Sequence, residues 1–252
     1  MEILTTIWLV AAAFLGGFID SIAGGGGLIA LPALLATGMP AHMALGTSKF
    51  QGMCGTTSAI INFQRNQKII WKVAFFGIPF ALIGSVLGAR LTLLFDPVSL
   101  ARILIMILPP AAIAVFASKT ITRERPAGAT LSNGAIVLTI LECLTIGLYD
   151  GFFGPGTGTF LIVALVLFAN MGMVNASATA KTFNLASNFG AFVTFLVSGH
   201  VNFSYAIFMA VANIGGNLLG SHLTIKHGAS IVQKILVVSL TILFIYLIVK
   251  YY

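Results

Sequence analysis

Two glycine-rich stretches interrupt long apolar runs, and each follows an aspartate: Asp20-Ser21-Ile22-Ala23-Gly24-Gly25-Gly26-Gly27, and Asp150-Gly151-Phe152-Phe153-Gly154-Pro155-Gly156-Thr157-Gly158. Glycine costs about 1 kcal/mol relative to alanine in a helix interior. A broken backbone at membrane depth survives only where it is buried in protein or lines a polar cavity. A matched pair of breaks in two halves of a chain is the sequence pattern of a transporter site.

The composition is that of a membrane chain. Of 252 residues, 58% are hydrophobic and 8% are charged, with a mean hydropathy of +1.05. A soluble domain carries about 25% charged residues, so there is too little charge here to coat a soluble surface. The net charge of +7 is spread between apolar runs. It reads as loop charge that sets orientation rather than as a nucleic-acid surface.

Apolar segments run over 3–23, 27–38, 41–63, 73–95 and 98–118, and then over 131–151, 156–171, 174–198, 203–225 and 230–250. The charged linker 119–130 separates the two sets, giving a first repeat 1–118 and a second repeat 131–252 within one integral membrane domain. Shifted by 132 residues, 48 positions from Ala44 to Leu91 share 11 identities with Ala176 to Leu223, including Thr47 with Thr179 and Lys49 with Lys181. Shifted by 130, Gly17, Asp20, Gly24 and Gly26 match Gly147, Asp150, Gly154 and Gly156.

The expected fold is an all-α polytopic membrane protein of two inverted repeats, each a broken-helix hairpin plus three transmembrane helices. Whether the hairpins re-enter or span is left open. In this arrangement Arg65, Lys68 and Lys72, then Lys119, Arg123 and Arg125, and finally Lys226 fall on one face. The opposing loops Asp96 to Ser99 and Gly199 to Asn202 lack Lys and Arg, although Arg102 lies just beyond the first. This bias makes the basic face cytoplasmic and places both termini outside.

Lys49 and Lys181 sit inside apolar, small-residue segments, where a charge costs several kcal/mol. Snorkelling to the headgroups is the structural alternative; duplication favours attraction of an anion from opposite sides of one site. A half-helix starting after each glycine break aims free N–H groups and its positive dipole end at the break, a ready anion site. Gly24, Gly25, Gly26, Gly27, Gly154, Gly156, Thr157 and Gly158 are therefore substrate-binding candidates with the two lysines, and Thr157 and Thr159 are expected to add hydroxyl donors. Gln51 and Asn184, near the lysines, complete the set. Gly84 with Gly88 and Gly216 with Gly220 fit close helix packing instead.

Asp20 and Asp150 either cap or pair locally to hold the broken backbone, or carry a proton. Glu142, with Ala12 at the equivalent position, is a third proton-coupling candidate. Cys54 and Cys143 read as small buried residues, and His42, His200, His222 and His227 lack metal-ligand spacing. No metal and no cofactor is expected. The GK[ST] ending of a phosphate loop is missing, and no nucleophile–base arrangement marks an enzyme.

The run from Gly17 to Leu35 with Ala44-Leu-Gly-Thr-Ser-Lys49-Phe-Gln51, and Asp150-Gly-x-x-Gly154-Pro-Gly156-Thr-Gly158 with Thr179-Ala-Lys181, closely resembles the sulfite exporter TauE/SafE family. That family is also called the toluene-sulfonate uptake permeases, and the likeness is to its bacterial branch of membrane transporters of unassigned substrate. One departure is Thr47-Ser48-Lys49, where an Asn directly before the lysine is expected in many members. The resemblance implies a multi-pass transporter of seven or eight helices in the bacterial inner (plasma) membrane. It also implies small sulfur-containing anions such as sulfite or organosulfonates as substrates. The expected partners are thus membrane lipids and a small anion, with no nucleic acid; a homo-oligomer is left open. Rival functions are an anion channel, a transporter of another small organic anion, a membrane enzyme and a non-transporting scaffold.

Overall fold

The computed structural model describes residues 3–96, 98–99, 133–232 and 234–235. Apolar segments 98–118 and 230–250 and the linker 119–130 fall wholly or almost wholly outside these residues. The described chain is helical: α1 (Ile3–Ala23), α2 (Gly27–Ala36), α3 (Ala41–Arg65), α4 (Trp71–Thr92), α5 (Asn133–Phe152), α6 (Thr157–Phe168), α7 (Met173–Val197) and α8 (Phe203–His227). Each expected segment in this region becomes one helix. α1, α4 and α8 are long and apolar enough to cross a membrane. Their outer faces expose large side chains such as Ile3, Leu4, Phe75 and Val211, as lipid-facing helices do.

α2 and α6 are half-length elements. At about 1.5 Å per residue they reach about 15–18 Å, against a hydrocarbon core of about 30 Å. A methyl group added at Gly16 would lie 3.1 Å from the Gly26 carbonyl oxygen and 3.8 Å from the Ala30 Cβ. α2 therefore doubles back beside α1.

The halves pack by exchange: α1 lies on α8 as α5 lies on α4, and α3 touches α8 as α7 touches α4, while α3 and α7 meet each other at the centre. Glycines set the close approaches. Gly84 and Gly88 lie against the backbone of Leu144 to Phe152, and Gly216 and Gly220 against Phe14, Phe18 and Ser21, which is the packing role expected of them. In both interfaces the numbering rises together, so α4 runs parallel to α5 and α1 parallel to α8. Along α3 and α7 it runs oppositely: Gly46 meets Phe195, Phe50 meets Phe192, and Gly52 meets Asn188. The Asn62 amide donates to the Ser221 hydroxyl at 2.9 Å, which sets the ends of α3 and α8 side by side.

Local structure repeats with the sequence. The Asn202 amide donates to the Thr47 hydroxyl oxygen and the Ile70 amide to that of Thr179, both at 3.0 Å. Left-handed backbone recurs at Gly24 and Gly154, at Gly38 and Asn170, and at Gln67 and Gly199. These pairs follow the 130- and 132-residue offsets.

At the end of the molecule away from Arg65, the rings of His42 and His200 lie 5.2 Å apart, and His42 Nε2–H donates to the Thr92 carbonyl at 3.2 Å. Burial first, and then the neighbouring His42, hold the His200 imidazole below its usual range. The unfolded chain then takes up this proton first as pH falls. Stability is fully present above about pH 6.5 and declines as pH drops below it. A melting series in detergent should show this acid-side loss, and His200→Gln should flatten it. An identical slope in the variant would contradict the assignment.

Candidate functional site

The site forms where the two glycine breaks touch. Gly24 packs on the backbone of Gly158 and Thr159 so closely that a methyl group at Gly24 would lie 2.1 Å from the Gly158 carbonyl carbon. A methyl at Gly27 would lie 3.2 Å from the Pro155 Cα. Gly24 (φ +80°), Gly154 (φ +94°) and Gly156 (φ +87°) occupy the left-handed region, which glycine enters freely. Among the described residues, the amides of Gly25, Gly26, Gly27, Gly156 and Gly158 donate to no backbone carbonyl. These are the orphan donors of the α2 and α6 starts.

The buried charges pair across the halves. Lys49 Nζ lies 2.9 Å from Asp150 Oδ1, and Lys181 Nζ lies 2.9 Å from Asp20 Oδ2. Lys181 also donates to the Asp20 carbonyl. The sequence offered local pairing for the aspartates; each instead holds the lysine of the other repeat. A local partner is unnecessary because α3 and α7 carry the lysines to the opposite break. Two lysines and two aspartates leave this group without net formal charge.

A small polar cavity of about 50 Å³ opens beside the pairs, room for a few waters by volume. Asp20, Gly24, Gly26, Gly27, Lys49, Gln51, Asp150, Gly154, Gly158 and Asn184 line it. Gly25, Gly156, Thr157, Lys181 and Glu142 do not. Lys181 is wholly buried against Asp20. Thr157 donates its hydroxyl to the Gly154 carbonyl and Thr159 to the Ala23 carbonyl, both at 2.7 Å. The expected hydroxyl donors are thus spent on the backbone of the breaks. Gly154 leaves space for the Lys49 ammonium, which would lie 2.9 Å from a methyl group there.

Ser48, Thr56, Asn188 and Asn213 also line the cavity; none of the four is among the expected site residues, and from sequence Asn188 and Asn213 read as helix–helix contacts. Helical periodicity could have found two of them: Lys49, Gly52 and Thr56 share one face at i, i+3 and i+7, as do Lys181, Asn184 and Asn188. Gln51 Oε1, Thr56 Oγ1 and Asp150 Oδ2 are buried without a hydrogen-bond partner. Native structures rarely leave such atoms orphaned unless water or a ligand completes them. Among the described residues no cluster of three His, Cys, Asp or Glu could hold a metal.

The profile of the sulfite exporter TauE/SafE family matches residues 9–247. The chain belongs to this family. It is 37% identical over 237 residues to the probable membrane transporter protein ORF9 of a Sinorhizobium species, covering 92% of this chain and 87% of that one. It is 34% identical over 231 residues to a probable membrane transporter protein of Haemophilus influenzae, covering 91% and 89%. It is also 34% identical over 233 residues to the probable membrane transporter protein YfcA of Escherichia coli K12, covering 91% and 84%. No solved structure matches. This TauE/SafE member is therefore a membrane transporter, and the cavity between its glycine breaks is its candidate substrate site.

Proposed function

We propose that the protein is a secondary transporter of a small sulfur oxyanion or organosulfonate, such as sulfite, built from two inverted repeats in the bacterial inner membrane. The observation that carries this is the cavity itself: two contacting helix N-termini whose amides donate to no backbone carbonyl among the described residues, and a buried lysine paired with a carboxylate. An anion entering it takes over the Lys49 ammonium from Asp150 and accepts hydrogen bonds from the amides of the breaks. Gln51 and Asn184 supply side-chain amides at the rim.

The antiparallel contact of α3 with α7 supports inversion, because repeats related by an axis in the membrane plane run in opposite directions. Arg65, Lys68 and Lys72 lie at the same end as Lys226, as the parallel run of α3 and α8 requires, and α5 also begins at this end. That supports a cytoplasmic basic face and an external N-terminus; the C-terminus, also expected outside, lies beyond the described residues.

The two pairs differ in access: Lys49 lines the cavity and Lys181 does not. In the opposite-facing state of the cycle the repeats exchange roles, opening the Lys181–Asp20 pair and closing the other.

A thermal-shift screen of purified protein against sulfite, sulfate, thiosulfate and small sulfonates tests the reading. A true ligand stabilises by RT ln(1 + [L]/Kd), about 2.7 kcal/mol at 100 Kd. No stabilisation by any of them refutes the substrate class.

A further inference from the structure

The lysine–aspartate pairs account for the buried Lys49, Asp150 and Lys181 and the half-buried Asp20 of the described membrane helices. Glu142 stands apart. It is 7% exposed on the inner face of α5, and both carboxyl oxygens lack a hydrogen-bond partner. Glu142, Ile146 and Asp150 follow one another at i, i+4 and i+8, so the two acids share a face. They lie about 12 Å apart along the axis, at about 1.5 Å per residue. Thr139, one turn further from the break, is also buried with an unpartnered hydroxyl. Glu142 thus lies between the basic end of the molecule, where α5 begins, and the ion pairs.

No cation answers it among the described residues. α5 packs on α4, α6 and α7. On α4, Lys72 and Arg90 are exposed. α6 carries no titratable side chain. On α7, Lys181 is taken by Asp20. On α5 itself the neighbours are Cys143, Tyr149 and Asp150. A buried carboxyl with neither cation nor donor is tolerated as the neutral acid. An intramembrane ionisable group of this kind marks an ion or proton pathway. The equivalent position in α1 is Ala12, so the group is no part of the duplicated scaffold.

Resting on the anion-transport reading above, we propose that Glu142 is the proton site of a proton–anion symporter. The neutral acid admits the anion. Ionised, its charge would repel an anion about 12 Å away, lowering affinity about tenfold at an effective dielectric of about 20. In the coupled step the carboxyl O–H releases its proton to water on the side where the anion leaves, and the carboxylate is reprotonated from water on the other side. No other bond changes.

The test uses the full chain in liposomes with a pH dye in the lumen, membrane potential clamped, and thiosulfate or methanesulfonate outside, since neither titrates near neutral pH. Wild type should acidify the lumen as the anion enters. Glu142→Gln, which mimics the neutral acid, should retain anion counterflow yet lose acidification and at least tenfold of acid-driven accumulation; Glu142→Asp should restore part of both. Anion entry at constant lumen pH in wild type, or full acidification by Glu142→Gln, overturns the proposal and leaves anion transport standing. If neither anion enters, the transport reading falls, and infrared spectroscopy decides on the acid itself. A protonated-carboxyl band at neutral pH in wild type that is missing from Glu142→Gln supports the proton site; a band missing from wild type, or retained in the variant, overturns it.

Discussion

Replacing Lys49 with alanine should destabilise the protein by about 3–5 kcal/mol, because it strands the buried Asp150 carboxylate without its cation. Side-chain exposure at this pair is only 6% and 3%, so water does little to screen the loss. Removing both partners, as in Lys49→Met with Asp150→Leu, should recover most of that stability, since a buried ion pair and an apolar pair of similar volume are nearly equivalent. Denaturant or thermal unfolding in detergent reads both variants. A single variant as stable as wild type would show that the pair is solvated in the folded protein, and a double variant no better than the single would show that the coupling lies elsewhere. The separation of stability from binding is the useful part: the double variant should fold and yet give no anion-induced thermal shift.

The second large effect concerns the contact between the breaks. Gly24→Ala places a methyl group 2.1 Å from the Gly158 carbonyl carbon and 2.3 Å from the Thr159 nitrogen. Both atoms are backbone, so no rotamer change can relieve the clash. Gly24 also holds φ +80°, which L-residues adopt at a cost of about 1–2 kcal/mol. Gly38 provides the control: its φ is +81°, and nothing lies within 4 Å of an added methyl. Gly38→Ala should therefore cost about 1–2 kcal/mol, whereas Gly24→Ala should exceed about 4 kcal/mol, the range reserved for severe core disruption. Equal melting temperatures for the two variants would mean that the breaks are not in firm contact.

Much of the architecture was legible in the chain. Hydropathy and glycine placed every described helix to within a few residues, whereas the exchanged packing of α1 on α8 and α5 on α4 emerges only from the contacts. Duplication of Asp20 with Asp150 and Lys49 with Lys181 singled out the charged groups before any contact was known. What the sequence withheld was their pairing. Spacing along the chain cannot say that Lys49 reaches Asp150, because that contact depends on how α3 and α7 cross the middle of the molecule. The fates of Thr157 and Thr159 were hidden for a related reason. A hydroxyl in the first turn of a helix finds a backbone carbonyl within reach, and Thr159 finds one on α1 only because the breaks touch. Thr56 and Asn188 were within reach of sequence reasoning, since each lies two turns beyond a lysine on the same helix face.

Anion counterflow in proteoliposomes tests the site most directly, comparing wild type with Lys49→Gln combined with Asp150→Asn. This double variant keeps the shape and hydrogen-bonding capacity of the pair while removing its charges, so that folding and anion recognition are separated. Preloaded unlabelled thiosulfate or sulfonate should stimulate saturable uptake of the labelled anion by wild type, and the variant should fold to a monodisperse protein that gives none. Counterflow by the variant equal to that of wild type would contradict an anion site at Lys49 between the glycine breaks.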